Sequence, residues 1–291
     1  MADSQPTVAA VQLSVDDLAV EHNVDRVRDR VVDLPNRVDI AVCPEHTLTG
    51  FVDDDRLGQA ALPRSDALNR LKSIATDGDV AIVAGYVEDG GDGDLYNATA
   101  YVPPAGNGGG GATAREGSRA ATSASGPVVY RKRHLWGGEQ ERLSPGTDRV
   151  IVETPAGSTG LLTCYDLNFV GESAWFTERA IDALFVPGAW PAAHTANWRL
   201  LLRARALDGV RWVVGTGRTG DTAALNDDDS GESERVNEET RYAGNSLVAR
   251  PDGGVAAALG HEERDLLATL DQSVLDRQRE LVGSVPPDQN I

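Results

Sequence analysis

The stretch "STGLLTCYDLNF", Ser158–Phe169, decides how this chain is read. Strand-type residues run from Ser158 to Cys164, and the chain then turns; Glu172 to Ile181 reads as a helix. A cysteine on a turn between a strand and a helix has backbone N–H groups exposed beside its sulfur. Those donors can hold an oxyanion, and the helix end favours a thiolate. The alternative is a buried structural cysteine. Cys43, inside the apolar run "VDIAVC" (38–43), fits that alternative.

Outward from this stretch, strands and helices alternate. "TVAAVQLSV" (7–15), "VDIAVC" (38–43), "DVAIVAGYVE" (79–88), "LYNATAYV" (95–102) and "GPVVYRKRHL" (126–135) read as strands, with helices predicted over 18–34 and 62–76. "VIVETP" (150–155), "DALFVPGAW" (182–190) and "VRWVVGTGR" (210–218) continue the rhythm, with a helix predicted over 195–208. Two strand-like runs and a short helix, 272–281, close the chain. Such alternation implies an α/β layered fold. A low-complexity loop over about 104–126 and an acidic loop over about 221–240 interrupt it, and neither is a phosphate-binding loop.

The 291 residues can bury a large core. The formal net charge is -18, nearly two thirds of the 45 acids are aspartate, and the only lysines are Lys72 and Lys132. Excess aspartate with little lysine suggests a surface suited to concentrated salt, where self-repulsion is screened within about 3 Å. Phosphate-backbone binding is disfavoured, because it needs basic patches. The start "MADSQPTVAAVQLSV" lacks a signal-peptide pattern, and no apolar run approaches the ~20 residues of a membrane span. Two cysteines form no secreted framework, so the expectation is a cytoplasmic protein with free thiols.

Ligands of α/β sheets gather at the carboxyl ends of strands. Besides Cys164, Glu45 and Lys132 sit at such ends. Glu45 follows a buried strand and the rigid Pro44, which suits a general acid or base. Lys132 lies between Arg131 and Arg133 in a chain that otherwise uses arginine, so its compact charge, rather than a guanidinium fork, is a candidate requirement. Glu139, in "WGGEQERLSPG", is a further carboxylate. His134 alternates with Lys132 and would share its face, either in the active site or packed and hydrogen-bonded. Cys43 and His46 have a metal-like spacing but no second pair, so no metal site is expected.

These residues together resemble the carbon–nitrogen hydrolase, or nitrilase, superfamily. "VCPEHTLTGF", "YRKRHLWGGEQERLSPG" and "GLLTCYDLNF" are similar, in order, to the family's glutamate, lysine and cysteine motifs. "ALFVPGAWP", "WRLLLRARALDGVRWVVGTGR" and "AGNSLVARPDGG" agree in order and spacing. The resemblance implies a four-layer α-β-β-α sandwich forming a single domain over 1–291. It implies a Glu45–Lys132–Cys164 triad assisted by Glu139 and the Tyr165 backbone N–H, cleaving a small linear amide or carbamoyl compound through a thioester. No metal or organic cofactor is implied, and a homodimer or higher oligomer is. Trp136, Phe169, Trp190, His194 and His134 are candidate pocket residues by proximity to the motifs. "CYDL" looks more like the amidase branches than like true nitrilases, which carry Trp-Glu after the cysteine. Gly217-Arg218 departs from the family's Asn-Arg and the tail is short, which bears on substrate shape and assembly. The rivals are an N-carbamoyl amino acid or nitrile hydrolase, a silent ligand- or partner-binding member of the fold, and a glutamine amidotransferase. The last would want a Gly-x-Cys-x-Gly elbow, and "LTCYD" lacks both glycines.

Overall fold

Period-two burial in the strands sets the architecture. In β1 (Thr7–Gln12), Val8 and Ala10 join one apolar cluster while Ala9 and Val11 join another; β2 (Ile40–Val42) repeats this with Ile40 and Val42 against Ala41. Each sheet face is thus buried, one against helices and one against a second sheet. The computed structural model describes residues 5–91, 93–105, 126–221 and 241–283.

The first sheet comprises β1, β2, the two-residue β3 (Leu62–Pro63), β4 (Ala81–Asp89), β5 (Leu95–Val102), β6 (Val128–Arg131) and β13 (Arg264–Thr269), in the order β13-β1-β2-β4-β5-β6 with β3 beside β4. The second comprises β7 (Val150–Thr154), β8 (Gly157–Leu161), β9 (Ala183–Gly188), β10 (Trp212–Gly217), β11 (Leu247–Ala249) and β12 (Val255–Ala258), in the order β12-β11-β10-β9-β8-β7. Val8, Ile40 and Val83 of the first sheet share a core with Phe185, Val186 and Val214 of the second. Helices α1 (Val20–Val32) and α3 (Arg64–Asp77) cover the other face of the first sheet through Val24, Val27, Leu71 and Ile74. Helices α5 (Val170–Thr177) and α6 (Thr195–Gly209) cover the second through Phe176, Trp198 and Leu202. The result is the expected four-layer α-β-β-α sandwich. Short helices α2 (Leu57–Ala60) and α4 (Glu139–Arg142) lie in loops, and α7 (Gln272–Val282) ends the described chain.

Three expected boundaries move. The strand read over 126–135 ends at Arg131, so Lys132 leaves the ladder, although its N–H still donates to Asn97 O at 2.7 Å. The strand read to Cys164 ends at Leu161, and Cys164–Asn168 forms a 3-10 turn. The helix read over 172–181 starts at Val170 and ends at Thr177. The low-complexity and acidic loops, for residues 106–125 and 222–240, fall outside the described residues.

Strand direction brings the motifs to one edge. β2 and β4 are parallel; β5 reverses and β6 reverses again, so the ends of β2 and β6 point the same way. β8 and β9 are parallel in the second sheet, and their ends carry Cys164 and Ala189. Thr99 of β5 and Thr163 of the second sheet's edge pair through their hydroxyls at 2.8 Å, tying the two sheets beside the site.

Candidate active site

Glu45, Lys132 and Glu139 meet in a buried charge cluster. The Lys132 ammonium donates to Glu45 Oε1 at 2.8 Å and to Glu139 Oε2 at 2.6 Å, with all three side chains almost wholly buried. Burial alone would lower the lysine's pKa, but the carboxylates of Glu139 and Glu45 outweigh it and hold the ammonium well above the usual range. Burial would likewise raise Glu139, yet Lys132 and then His46 keep its carboxyl well below the usual carboxylate range. The cluster is therefore an ion triad with one cation between two anions.

Backbone and amide donors hold both carboxylates in place. Ala189 N–H, past the end of β9, donates to Glu45 Oε2 at 2.8 Å. Trp136 N–H donates to Glu139 Oε2 at 2.9 Å. Asn97 Nδ2 donates to Glu45 Oε1 at 2.7 Å and to Glu139 Oε1 at 2.6 Å. The Glu45 turn rests on Gly85 of β4, where an added Cβ would lie 2.5 Å from His46 N and 2.8 Å from Glu45 Cα. Only a residue without a side chain lets β4 and this turn approach so closely.

Cys164 sits on the opposite sheet's edge with φ of 48°, in the left-handed region, which lifts it out of the strand's path. A reciprocal cap fixes the turn: Thr163 N donates to Asp166 Oδ2 at 3.0 Å, and the Thr163 side chain accepts from Asp166 N. Buried Asp166 also accepts from Tyr130 OH at 2.6 Å and from His134 N at 3.0 Å, and its Oδ1 lies 2.9 Å from His134 Nδ1. One carboxylate thus joins the nucleophile turn to the segment on both sides of Lys132.

The turn does not act on Cys164 as expected from a helix end. Burial raises the thiol well above its ordinary pKa, Glu45 raises it further, and Lys132 opposes them. At rest it is a thiol facing a carboxylate. Cys43 lies in the helix-side core and is fully buried, with its thiol pushed up to about 12 by burial. Both cysteines are unbridged.

A cavity of about 170 Å3 opens beside Cys164. Of the expected pocket residues, Trp136, Trp190 and His194 line it, as does Tyr165, whose N–H was the expected oxyanion donor. His134 and Phe169 do not line it. They stack on each other with ring centroids 3.6 Å apart, and His134 is drawn to Asp166 because its strand ends before the alternation reaches it. Asn168, Pro191 and Asn197 complete the lining. Asn97 and the Ala189 N–H were not singled out from the sequence. A lone amide in the apolar strand "LYNATAYV" was the available signal, since asparagine is depleted in strands. Glu45, His46 and Glu139 also place ligand-type atoms within 4.8 Å of one another. The space between the two carboxylates is occupied by the Lys132 ammonium, so this donor set suits a lysine rather than a metal ion.

The sequence matches the carbon–nitrogen hydrolase family over residues 7–280. The chain belongs to that family. Among similar proteins, an (R)-stereoselective amidase from a Pseudomonas species is 26% identical over 273 residues, covering 94% of this chain and 87% of that one. A 2-oxoglutaramate amidase from Bacillus subtilis is 26% identical over 292 residues, covering 98% and 97%. A carbon–nitrogen hydrolase superfamily protein from Xanthomonas campestris shares the fold of this hydrolase with a TM-score of 0.79, at 21% identity over 99% of this chain and 98% of that one.

Proposed function

We propose that this hydrolase is a single-domain amidase that cleaves a small linear amide or carbamoyl compound through a thioester on Cys164. The observation that carries the reading is Lys132 held between Glu45 and Glu139, beside a cavity-lining cysteine that Glu45 faces. The amidase names of similar proteins favour an amide over a nitrile.

Glu45 removes the thiol proton as sulfur attacks the carbonyl carbon. A thiol with a raised pKa makes this base necessary, because little thiolate exists beforehand. Two of the three ammonium protons of Lys132 are committed to carboxylates, and the third is the donor for the developing oxyanion, with the Tyr165 N–H beside it. Glu45 then protonates the departing nitrogen, and a water activated by Glu45 releases the acid. Glu139 keeps Lys132 charged and aimed.

The exposed Val170, Leu200 and Leu207 on α5 and α6 favour a homodimer through this layer. Among the described residues no helix is long and apolar enough to cross a membrane. A salt-rich cytoplasm is the proposed setting, on the acidic composition.

The test is ammonia release from small amides, carbamoyl amino acids and nitriles in molar KCl, by wild type and Cys164→Ala, with iodoacetamide labelling of both cysteines. Release that disappears in the variant, and faster labelling of Cys164 than of Cys43, are expected. No release from any compound, with Cys164 no more reactive than Cys43, leaves a silent binding member of the fold.

A further inference from the structure

The cavity beside Cys164 is walled by Trp136, Tyr165, Trp190 and Pro191, with Asn168, Asn197 and His194 completing it. Among the described residues, no arginine or lysine lines it. Several nearby cations have carboxylate partners. Lys132 is bound by Glu45 and Glu139, and Arg133 and Arg149 pair with Glu172. Arg218 pairs with Asp17 at 2.8 Å, and Arg241 with Asp221 at 3.5 Å. His194 is exposed.

We infer that the acyl group accepted here is small, apolar and without negative charge, so that amides bearing a second, carboxylate end are rejected. This inference rests on the amidase reading. A substrate carboxylate would enter beside the paired carboxylates of Glu45 and Glu139. It would lie among the aromatic side chains of Trp136, Tyr165 and Trp190, which offer it no positive charge. It would lose hydration with no cation in the described pocket lining to replace it. The volume of about 170 Å3, below the range of roughly 300–1,000 Å3 usual for drug-sized ligands, suits a short acyl chain. This separates the chain in substrate from the 2-oxoglutaramate amidase it resembles, whose named substrate carries a carboxylate.

Three amides of matched length test it: butyramide, succinamate, in which a carboxylate replaces the methyl, and β-alaninamide, in which an ammonium replaces it. kcat/KM is measured by ammonia release in molar KCl at mildly alkaline pH, on wild type and Cys164→Ala. Butyramide is expected to exceed succinamate by on the order of 100-fold, and to exceed β-alaninamide by a smaller factor. Succinamate turned over as well as butyramide, with activity lost in Cys164→Ala, overturns the inference and leaves the amidase standing. β-Alaninamide as the best of the three overturns it in favour of a cation-selective pocket. No ammonia from any of the three or from the wider panel, with Cys164 unlabelled by iodoacetamide, overturns both readings together.

Discussion

Arg131, Lys132 and Arg133 are three consecutive cations with three different partners, and the partners explain the choice of side chain. Arg131 pairs with buried Glu88 and lies 3.6 Å from the Tyr96 ring centroid, and Arg133 pairs with buried Glu172. Both are planar forks on carboxylates at the edge of the fold. Lys132 enters a space between two carboxylates where each N–H must point a different way. Lys132→Arg is expected to keep the fold, by circular dichroism, and to lower kcat by about 100-fold or more. Retention of more than a tenth of wild-type kcat would show that a point charge is not required. Asn97→Ala removes the shared donor of Glu45 and Glu139. Loss of a buried hydrogen-bond partner costs about 1–3 kcal/mol, so kcat should fall roughly tenfold with KM little changed. An equal rise in KM with constant kcat would instead place Asn97 in substrate binding.

At the scale of elements, the site depends on two turns, one of which approaches a strand more closely than a side chain allows. Gly85 of β4 lies under the Glu45 turn, and its substitution meets backbone rather than a flexible side chain. Gly85→Ala is expected to lower stability by about 1–3 kcal/mol and kcat with it, because relief of the contact displaces Glu45. Differential scanning calorimetry with a parallel rate assay checks this, and an unchanged melting temperature with wild-type kcat would show a turn that yields freely. The nucleophile turn is held differently, by Asp166 accepting from Thr163, Tyr130 and His134. It spans both sheets, so its integrity follows sheet packing.

Across the whole molecule, charge dominates. A formal net charge of -18 opposes compaction, and its long-range part is screened as salt rises and the Debye length shrinks to about 3 Å at molar concentration. The urea midpoint is expected to rise between dilute buffer and molar KCl; a midpoint that falls steadily with KCl would contradict the salt-adapted reading. Alkaline stability has a separate cause. Burial pushes the Cys43 thiol up to about 12, whereas in the unfolded chain it titrates near 8.5. With the folded pKa raised, this contribution is fully present below the unfolded value. It is lost as pH rises from there through the folded one, as the unfolded state gives up a proton that the native state keeps. The unfolding free energy should therefore decline with pH on the alkaline side, and Cys43→Val should make the decline shallower. An identical slope in the variant would remove Cys43 as its source.

Much of this protein was legible in its sequence. Alternating burial and strand–helix rhythm determined the layered α/β class, because side-chain period follows backbone geometry. Glu45, Lys132 and Cys164 stood out because each is a reactive group at the end of an apolar run. What lay beyond reach was set by contacts between distant segments. Asn97 and the Ala189 N–H gain meaning only when β5 and β9 are brought to the same edge, separations of 52 and 144 residues from Glu45. His134 followed Asp166 rather than its predicted face once β6 stopped at Arg131. The protonation of Cys164 was decided there too, since the helix end visible in sequence is local, while burial and the facing Glu45 arise from packing one sheet's edge against the other.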